Sequence, residues 1–318
     1  MFNIEILDSE LTKNLENPFL NDYVKISPKD DPKKFCVMSQ HFVDNYMEKI
    51  KKMEIFEDDI WVITFPKCGT TWTQEMVWMI GNNLDYDTSM KILLDDKFPF
   101  LECSGIAKEF PFNTFELAKN KPRPRYIKSH LPIFLLPDQL WTVKPKIIYV
   151  TRNPKDAAVS WFYHHRNLGM YEGAKTDFIK AFVKDLTLFS PMNDHVIDFW
   201  NIRFQPNILF LFFEDMKRNL SQEVKKVMKF MEKDYLQDEI DKLCVHLSFD
   251  SIQKNKMINK EEIIEQMSSM TGKEYNPQKF SFIRKGKVGG YKQELAPEEN
   301  EMLDEYIKKA EYDIEYKF

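Results

Sequence analysis

At 318 residues, with 43% hydrophobic and 14% aromatic content, the chain is long enough to bury a large core and too apolar to be disordered. A net charge of −5 excludes nucleic-acid binding by bulk charge, so an anionic ligand has to be met by a local basic pocket. The four cysteines (Cys36, Cys68, Cys103 and Cys244) and six histidines show no paired zinc or dithiol spacing and no two-histidine motif, so no metal is expected.

Taken in chain order, the opening MFNIEILDSE lacks a basic start followed by an apolar run, and no apolar stretch is long enough to cross a bilayer. With unpaired cysteines, this predicts a cytoplasmic protein with no membrane partner. Residues 1–54 read as an N-terminal segment, and the core of one domain spanning 1–318 runs from about 55 to 295. Short apolar, β-branched runs predict strands over Ile60–Phe65, Arg125–Ser129, Lys146–Thr151 and Asn207–Phe213. Helical patterns cover Thr71–Gly81, Pro154–Leu168, Asp194–Arg203, Ser221–Met231 and Asp238–His246; Asn153-Pro154 makes a strong helix start. Alternating strands and helices predict an α/β fold, a central parallel sheet with helices on both faces. The acidic stretch Glu298-Glu299-Asn300-Glu301 reads as a solvated helix face.

Polar residues follow every predicted strand: Lys67-Cys68-Gly69-Thr70-Thr71 the first, Lys128-Ser129-His130 the second, Arg152-Asn153 the third, and Glu214-Asp215 the fourth. Open α/β sheets bind ligands outside the carboxyl ends of their strands, so these residues are expected on one rim, around one cleft. The Lys67–Thr71 loop offers backbone N–H groups, a helix N-terminus, two hydroxyls and an ammonium to a polyoxygen anion. Its lysine precedes the glycine, unlike the triphosphate loop GxxxxGK[ST], which argues against a nucleotide kinase. The alternative is a helix capped by Thr70 or Thr71 with Lys67 exposed. Arg152 and Ser160 on the next segment suit a phosphate, and Arg284-Lys285-Gly286 in the basic, glycine-rich loop 282–290 makes a second grip. Two grips imply a ligand with phosphates at two positions. His130, beside Lys128 on the rim with Lys67, suits proton abstraction from a hydroxyl, with the lysines neutralising charge on the transferred group. Cys68, next to Lys67 at a helix N-terminus, is read either as a thiol that ionises easily or as a serine substitute contributing only its backbone N–H.

Together, PKCGTTW, KSHLP, RNPKDAAVSWFYHH, FFEDM and RKGKVGG, in this order between Ile60 and Lys292, resemble the animal cytosolic sulfotransferase family, with an insect-like C-terminal GGYK. The resemblance implies a single α/β domain that uses 3′-phosphoadenosine 5′-phosphosulfate, without metal, to sulfate a hydroxyl or amine. It implies that Lys67, Cys68, Gly69, Thr70 and Thr71 hold the 5′-phosphosulfate. Trp72 would stack on adenine; Arg152, Ser160, Arg284, Lys285 and Gly286 would hold the 3′-phosphate; Phe213, Ser248, Phe249 and Phe282 would complete the nucleotide pocket. His130 would be the base, with Lys67, Lys128 and Ser160 in the catalytic group. Phe98, Phe100, Tyr163 and His164 are the acceptor-pocket candidates, an aromatic set suited to phenols, alcohols or steroid-like compounds.

Cys68, Phe213, Leu247 and Tyr291 depart from the family's usual serine, tyrosine, threonine and tryptophan, which predicts altered donor affinity rather than lost chemistry. Lys292 and Glu301 keep the spacing of the family's dimer segment, but Ala296-Pro297 stands between them, so a homodimer of that kind is not favoured. Residues 253–290, with Met257, Met267 and Met270, are expected to cover the site. A rival reading is a non-catalytic binder of the nucleotide or of a small apolar compound, against which His130, Lys67 and Lys128 argue.

Overall fold

The run Ile60-Trp61-Val62-Ile63-Thr64 consists only of β-branched and aromatic residues, which fit a pleated surface, and it forms the central strand β4 (Ile60–Thr64). The computed structural model describes residues 1–7, 22–106, 112–168, 170–261, 265 and 282–310. Strand β5 (Tyr126–Ser129) lies parallel to β4 on one side, and β6 (Lys146–Thr151) on the other. Outside β6 lies β7 (Ile208–Phe212), giving the all-parallel order β5-β4-β6-β7. The chain leaves β4 toward one neighbour and later returns to the other. The order therefore reverses at β4, whose carboxyl end faces the crevice where such sheets bind ligands.

Both faces of this sheet are buried, as a parallel sheet requires. Trp61 and Ile63 point into one apolar cluster with Tyr149, Trp161, Phe162 and Phe178. Ile60 and Val62 point into the other with Met76, Val77, Ile148 and Val150. The Thr70–Gly81 helix covers the second face and the Pro154–Asn167 helix the first. The expected parallel sheet flanked by helices is thus present, with element ends displaced by one or two residues. The helix expected over Asp194–Arg203 runs Met192–Asn201, and that expected over Asp238–His246 starts at Gln237.

A pair of buried charges pins the end of the sheet away from the crevice. Arg125 donates from Nε and Nη2 to the two Asp59 oxygens (2.8 and 2.5 Å), and from its Nη atoms to the Lys119 and Glu54 carbonyls. Both side chains are essentially inaccessible to solvent.

Segment 1–54 is more than a leader to the core. It forms a three-stranded antiparallel sheet of β1 (Phe2–Ile6), β2 (Tyr23–Pro28) and β3 (Cys36–Ser39), with Val24, Ile26, Val37 and Met38 inside the main cluster. Val37 exchanges backbone hydrogen bonds with residues 189 and 190: Val37 N–H donates to the Ser190 carbonyl (3.0 Å) and Phe189 N–H to the Val37 carbonyl (2.8 Å). Strand β3 thereby fixes Phe189, which reaches the candidate site.

The structure also extends past the expected core boundary, with a last helix Pro297–Lys309. Glu299 on it is buried, a correction to the solvated face expected for 298–301. It accepts from Thr176 Oγ1 (2.7 Å) and from its own helix start at Ala296 N (2.8 Å), and it pairs with Lys175 (3.1 Å). Ala296 and Pro297, between Lys292 and Glu301, serve as the cap and first residue of this helix. Of the expected cover, residues 262–264 and 266–281, including Met267 and Met270, lie outside the described residues. Among the described residues no helix is long and apolar enough to cross a membrane.

Candidate active site

The crevice is built from the loop Phe65–Gly69 upward. Two of its residues adopt left-handed backbone, Lys67 (φ 67°) and Gly69 (φ 99°), a turn that points successive N–H groups into a concavity suited to an anion. The Thr70–Gly81 helix begins directly after it, and its cap residue Gly69 contributes no side-chain cap. The helix-capping alternative for Thr70 and Thr71 is therefore not what the chain does. Thr70 Oγ1 instead meets Thr64 Oγ1 at 2.7 Å, and Thr71 is half-buried. Gly69 is needed for space as well as backbone: a Cβ there would stand 2.8 Å from the Phe213 ring.

Cys68 is fully buried, and burial drives its thiol well above the usual range, with the Glu214 carboxylate adding to the effect and Arg152 opposing it. Its Sγ lies 3.8 Å from the Pro66 carbonyl. The easily ionised thiol is thus overturned. The sequence shows Lys67 and the helix start but not the desolvation that outweighs them.

His130 follows β5 and sits at the carboxyl end of β4. Its Nδ1 is 2.7 Å from the Thr64 carbonyl, a group that can only accept, so Nδ1 carries the proton and Nε2 keeps its lone pair. Burial first, then the Lys128 ammonium, holds its pKa well below the normal histidine value. The ring is walled by Phe100 (centroids 5.0 Å) and Phe189 (5.5 Å). Behind it, Glu102 accepts from the His130 backbone N–H (2.5 Å) and from Ser129 Oγ (2.9 Å), and His195 Nε2 donates to the His130 carbonyl (3.0 Å).

Lys128 Nζ lies 3.8 Å from the Phe100 ring centroid, and Lys67 Nζ lies 4.1 Å from that of Phe282 and 3.4 Å from His164 Nδ1. Burial lowers both ammonium groups to about 7; Lys128 and Lys260 push Lys67 down further, and Lys260 does the same to Lys128. Such crowding of cations is costly until an anion shares the space.

A second lobe lies toward β6 and β7. Arg152 donates from Nη1 to the Lys67 carbonyl (3.2 Å) and from Nη2 to the Lys287 carbonyl (2.9 Å), while its Nε is buried and has no hydrogen-bond partner among the described residues. Its guanidinium covers the Phe213 ring at 4.3 Å. Phe213 in turn meets Trp72 edge to face (5.7 Å), and Trp72 Nε1 donates to the Leu247 carbonyl (2.8 Å). The backbone, not the side chain, of residue 247 makes this bond. Lys217 stands near both Trp72 and Phe249. Ser248 caps the Phe249–Lys254 helix, and a Cβ on Gly286 (φ 54°) would strike the Phe249 ring at 2.5 Å. Asp156 accepts from Gly289 N (2.7 Å) and Tyr291 N (2.9 Å), holding the basic loop against the Pro154–Asn167 helix, on which Ser160 is half-buried.

Most residues expected at the site therefore gather around one crevice. Phe98 does not. It ends the short Leu94–Lys97 helix, its N–H donating to the Leu94 carbonyl, and packs fully buried against Tyr126 on the far face of the sheet. Phe100, two residues on, bridges to Lys128 and reaches His130. Tyr163 lies under the Arg284 guanidinium (4.1 Å), whereas His164 reaches Lys67. Sequence reasoning missed Thr64, Glu102, Phe189 and Lys260, whose positions follow from packing. Asp156 had a readable signal, an acid in the first turn after Asn153-Pro154.

The crevice fits a ligand with two anionic ends and a flat middle. The Arg152 Nε with no hydrogen-bond partner among the described residues, the left-handed turn at Lys67–Gly69, and the close approach of the Phe213 and Phe249 rings to Gly69 and Gly286 are the features that carry this fit.

Comparison with known proteins agrees with this geometry. A family model described as "Sulfotransferase domain" matches residues 57–315. The chain is 34% identical over 309 residues to luciferin sulfotransferase of Photinus pyralis, covering 92% of this chain and 81% of the relative. It is 36% identical over 272 residues to sulfotransferase 1 family member D1 of Rattus norvegicus, covering 83% and 88%. Among solved structures, retinol dehydratase in complex with retinol and PAP superposes with a TM-score of 0.86 at 26% identity, covering 100% of this chain and 98% of that one.

Proposed function

The chain belongs to the sulfotransferase family and is a 3′-phosphoadenosine 5′-phosphosulfate-dependent sulfuryl transferase; from that premise we propose that it sulfates the hydroxyl of a small, mostly apolar acceptor, with His130 as general base. The observation that carries the reading is the Thr64 carbonyl at 2.7 Å from His130 Nδ1, which leaves Nε2 as the proton acceptor. Lys67, Gly69, Thr70, Thr71 and the backbone N–H of Cys68 form the 5′-phosphosulfate cradle. Trp72, Phe213 and Phe249 flank the adenine, with Ser248 and Phe282 at its edges. Arg152, Ser160, Arg284, Lys285 and the backbone of Gly286 form the 3′-phosphate grip.

Once bound, the donor supplies an electrophilic sulfuryl group and a phosphate leaving group. His130 Nε2 takes the acceptor's hydroxyl proton as the acceptor oxygen forms its bond to sulfur. Lys67 and Lys128 neutralise the charge that builds on the transferred group and on the departing phosphate oxygen. Phe100, Phe189 and the His164–Phe282 pair exclude water and orient a flat or apolar acceptor. Similar structures hold retinol and androsterone beside PAP, and these two alcohols lead the acceptor panel.

The test is incubation with donor carrying radiolabelled sulfate and a panel of retinol, androsterone, simple phenols and alkyl amines. Transfer to at least one apolar hydroxyl is expected. No transfer to any member, with donor binding intact, would leave a nucleotide or apolar-ligand binder instead.

The two lysines give a further expected result. Each ammonium is held near 7 in the free protein, and a bound polyanion favours the charged form, so its pKa rises on binding. Binding of adenosine 3′,5′-bisphosphate at pH 8 should therefore take up protons. Affinity is full below about 7 and declines as pH rises from the free-state value toward the bound one. Calorimetry in two buffers of different ionisation enthalpy measures the uptake directly; zero uptake at pH 8 would contradict the lysine assignment.

A further inference from the structure

The basic loop already holds an anion of its own. Arg284 Nη1 donates to both oxygens of Glu294 (2.9 and 3.0 Å), and Lys285 Nζ donates to Oε1 of the same carboxylate (2.9 Å). The Glu294 side chain is almost fully enclosed, with 7% of its surface exposed. Its place is built rather than accidental. Asp156 fixes the backbone at Gly289 and Tyr291, Glu294 N–H returns to the Tyr291 carbonyl (2.9 Å), and the Glu294 carbonyl accepts from Lys175 Nζ. Burial alone would raise this carboxyl, but the hydrogen bonds from Lys285 and Arg284 bring it below the usual carboxylate range. Arg152, on the opposite wall, is held less closely: its two Nη atoms donate to carbonyls, Nη2 comes no nearer than 4.0 Å to the Asp156 carboxylate, and among the described residues its Nε has no hydrogen-bond partner.

We propose that Glu294 is an internal stand-in for the donor's 3′-phosphate: it occupies Arg284 and Lys285 in the free protein, and the nucleotide must take these cations over to bind. The proposal rests on the assignment of Arg284 and Lys285 to the 3′-phosphate grip. Glu294 is a specificity-setting residue that weakens donor and product alike, and it acts only on ligands carrying a 3′-phosphate. A carboxylate already paired with two cations makes the exchange less favourable than filling an empty site. It also re-forms its bonds when the product leaves.

Equilibrium binding of adenosine 3′,5′-bisphosphate and of adenosine 5′-monophosphate to the wild type, Glu294→Gln and Glu294→Ser tests this. Loss of the competing charge should tighten the bisphosphate on the order of tenfold, the size of one charge-assisted hydrogen bond, and change the monophosphate by less than about twofold. Unchanged or weaker bisphosphate binding in the variants would overturn the proposal and make Glu294 a residue that orients Arg284. Equal tightening of both nucleotides would overturn it too. If the wild type itself bound the bisphosphate no better than the monophosphate, the 3′-phosphate grip would be misplaced and both readings would fall. The serine variant guards against a glutamine that misfolds, and a thermal melt of each variant establishes that it is native.

Discussion

His130→Ala lowers turnover by roughly 10²–10⁴-fold, the usual worth of a positioned general base, while donor affinity stays within about threefold of the wild type. The division follows from the geometry. The imidazole is bound to the end of β4 and walled by Phe100 and Phe189, whereas the lobe proposed for the nucleotide is lined by Arg152, Phe213, Trp72 and the basic loop. Because His130 is held neutral well below pH 6.5, the wild-type rate should also show no loss from histidine protonation on going from pH 8 to pH 6.5. Single-turnover rates and nucleotide dissociation constants for the two proteins decide the matter; near-normal turnover in the variant would mean that another group takes the proton.

Arg125→Met destabilises the fold by about 3–5 kcal/mol, because it strands Asp59 as a buried, uncompensated charge. The guanidinium makes two bonds to that carboxylate and holds the Glu54 and Lys119 carbonyls besides, all at the end of the sheet remote from the crevice. The double change Asp59→Asn with Arg125→Met should recover part of the loss, since removing both charges leaves no ion unpaired. Urea unfolding of the two variants and the wild type measures this. A loss below about 1 kcal/mol for the single variant would place the pair among the weak surface ion pairs.

The parts of the molecule legible in its sequence are those in which local chemistry and global position coincide. Strand β4 is made only of residues that suit a sheet, and the glycine after it supplies the left-handed turn its loop needs. The rim was legible because polar residues follow each strand, and a parallel sheet brings all those ends together. Phe98 and Phe100 show the limit. Both are aromatic, two residues apart, yet one closes a short helix and turns under the sheet while the other bridges to β5. No periodicity distinguishes them. Strand β2 escaped notice because it does not alternate: Tyr23, Val24, Ile26 and Ser27 are all buried. Glu299 looked like surface and is enclosed by Lys175 and Thr176 from a distant helix. Cys68 carried the right neighbours for reactivity, but its burial belongs to the tertiary structure alone.

The partner that fixes the His130 ring has a consequence for how this chain tolerates change. The Thr64 oxygen at 2.7 Å from Nδ1 is a main-chain atom, so no side-chain replacement at position 64 deletes it. The tautomer that frees Nε2 is inherited from the path of the central strand; the Thr64 hydroxyl, 3.2 Å from the same nitrogen, is the longer contact that a side-chain replacement would remove. The Phe100 and Phe189 rings that wall the imidazole are side chains and have no such protection, so they can change while the geometry at Nδ1 persists beneath them.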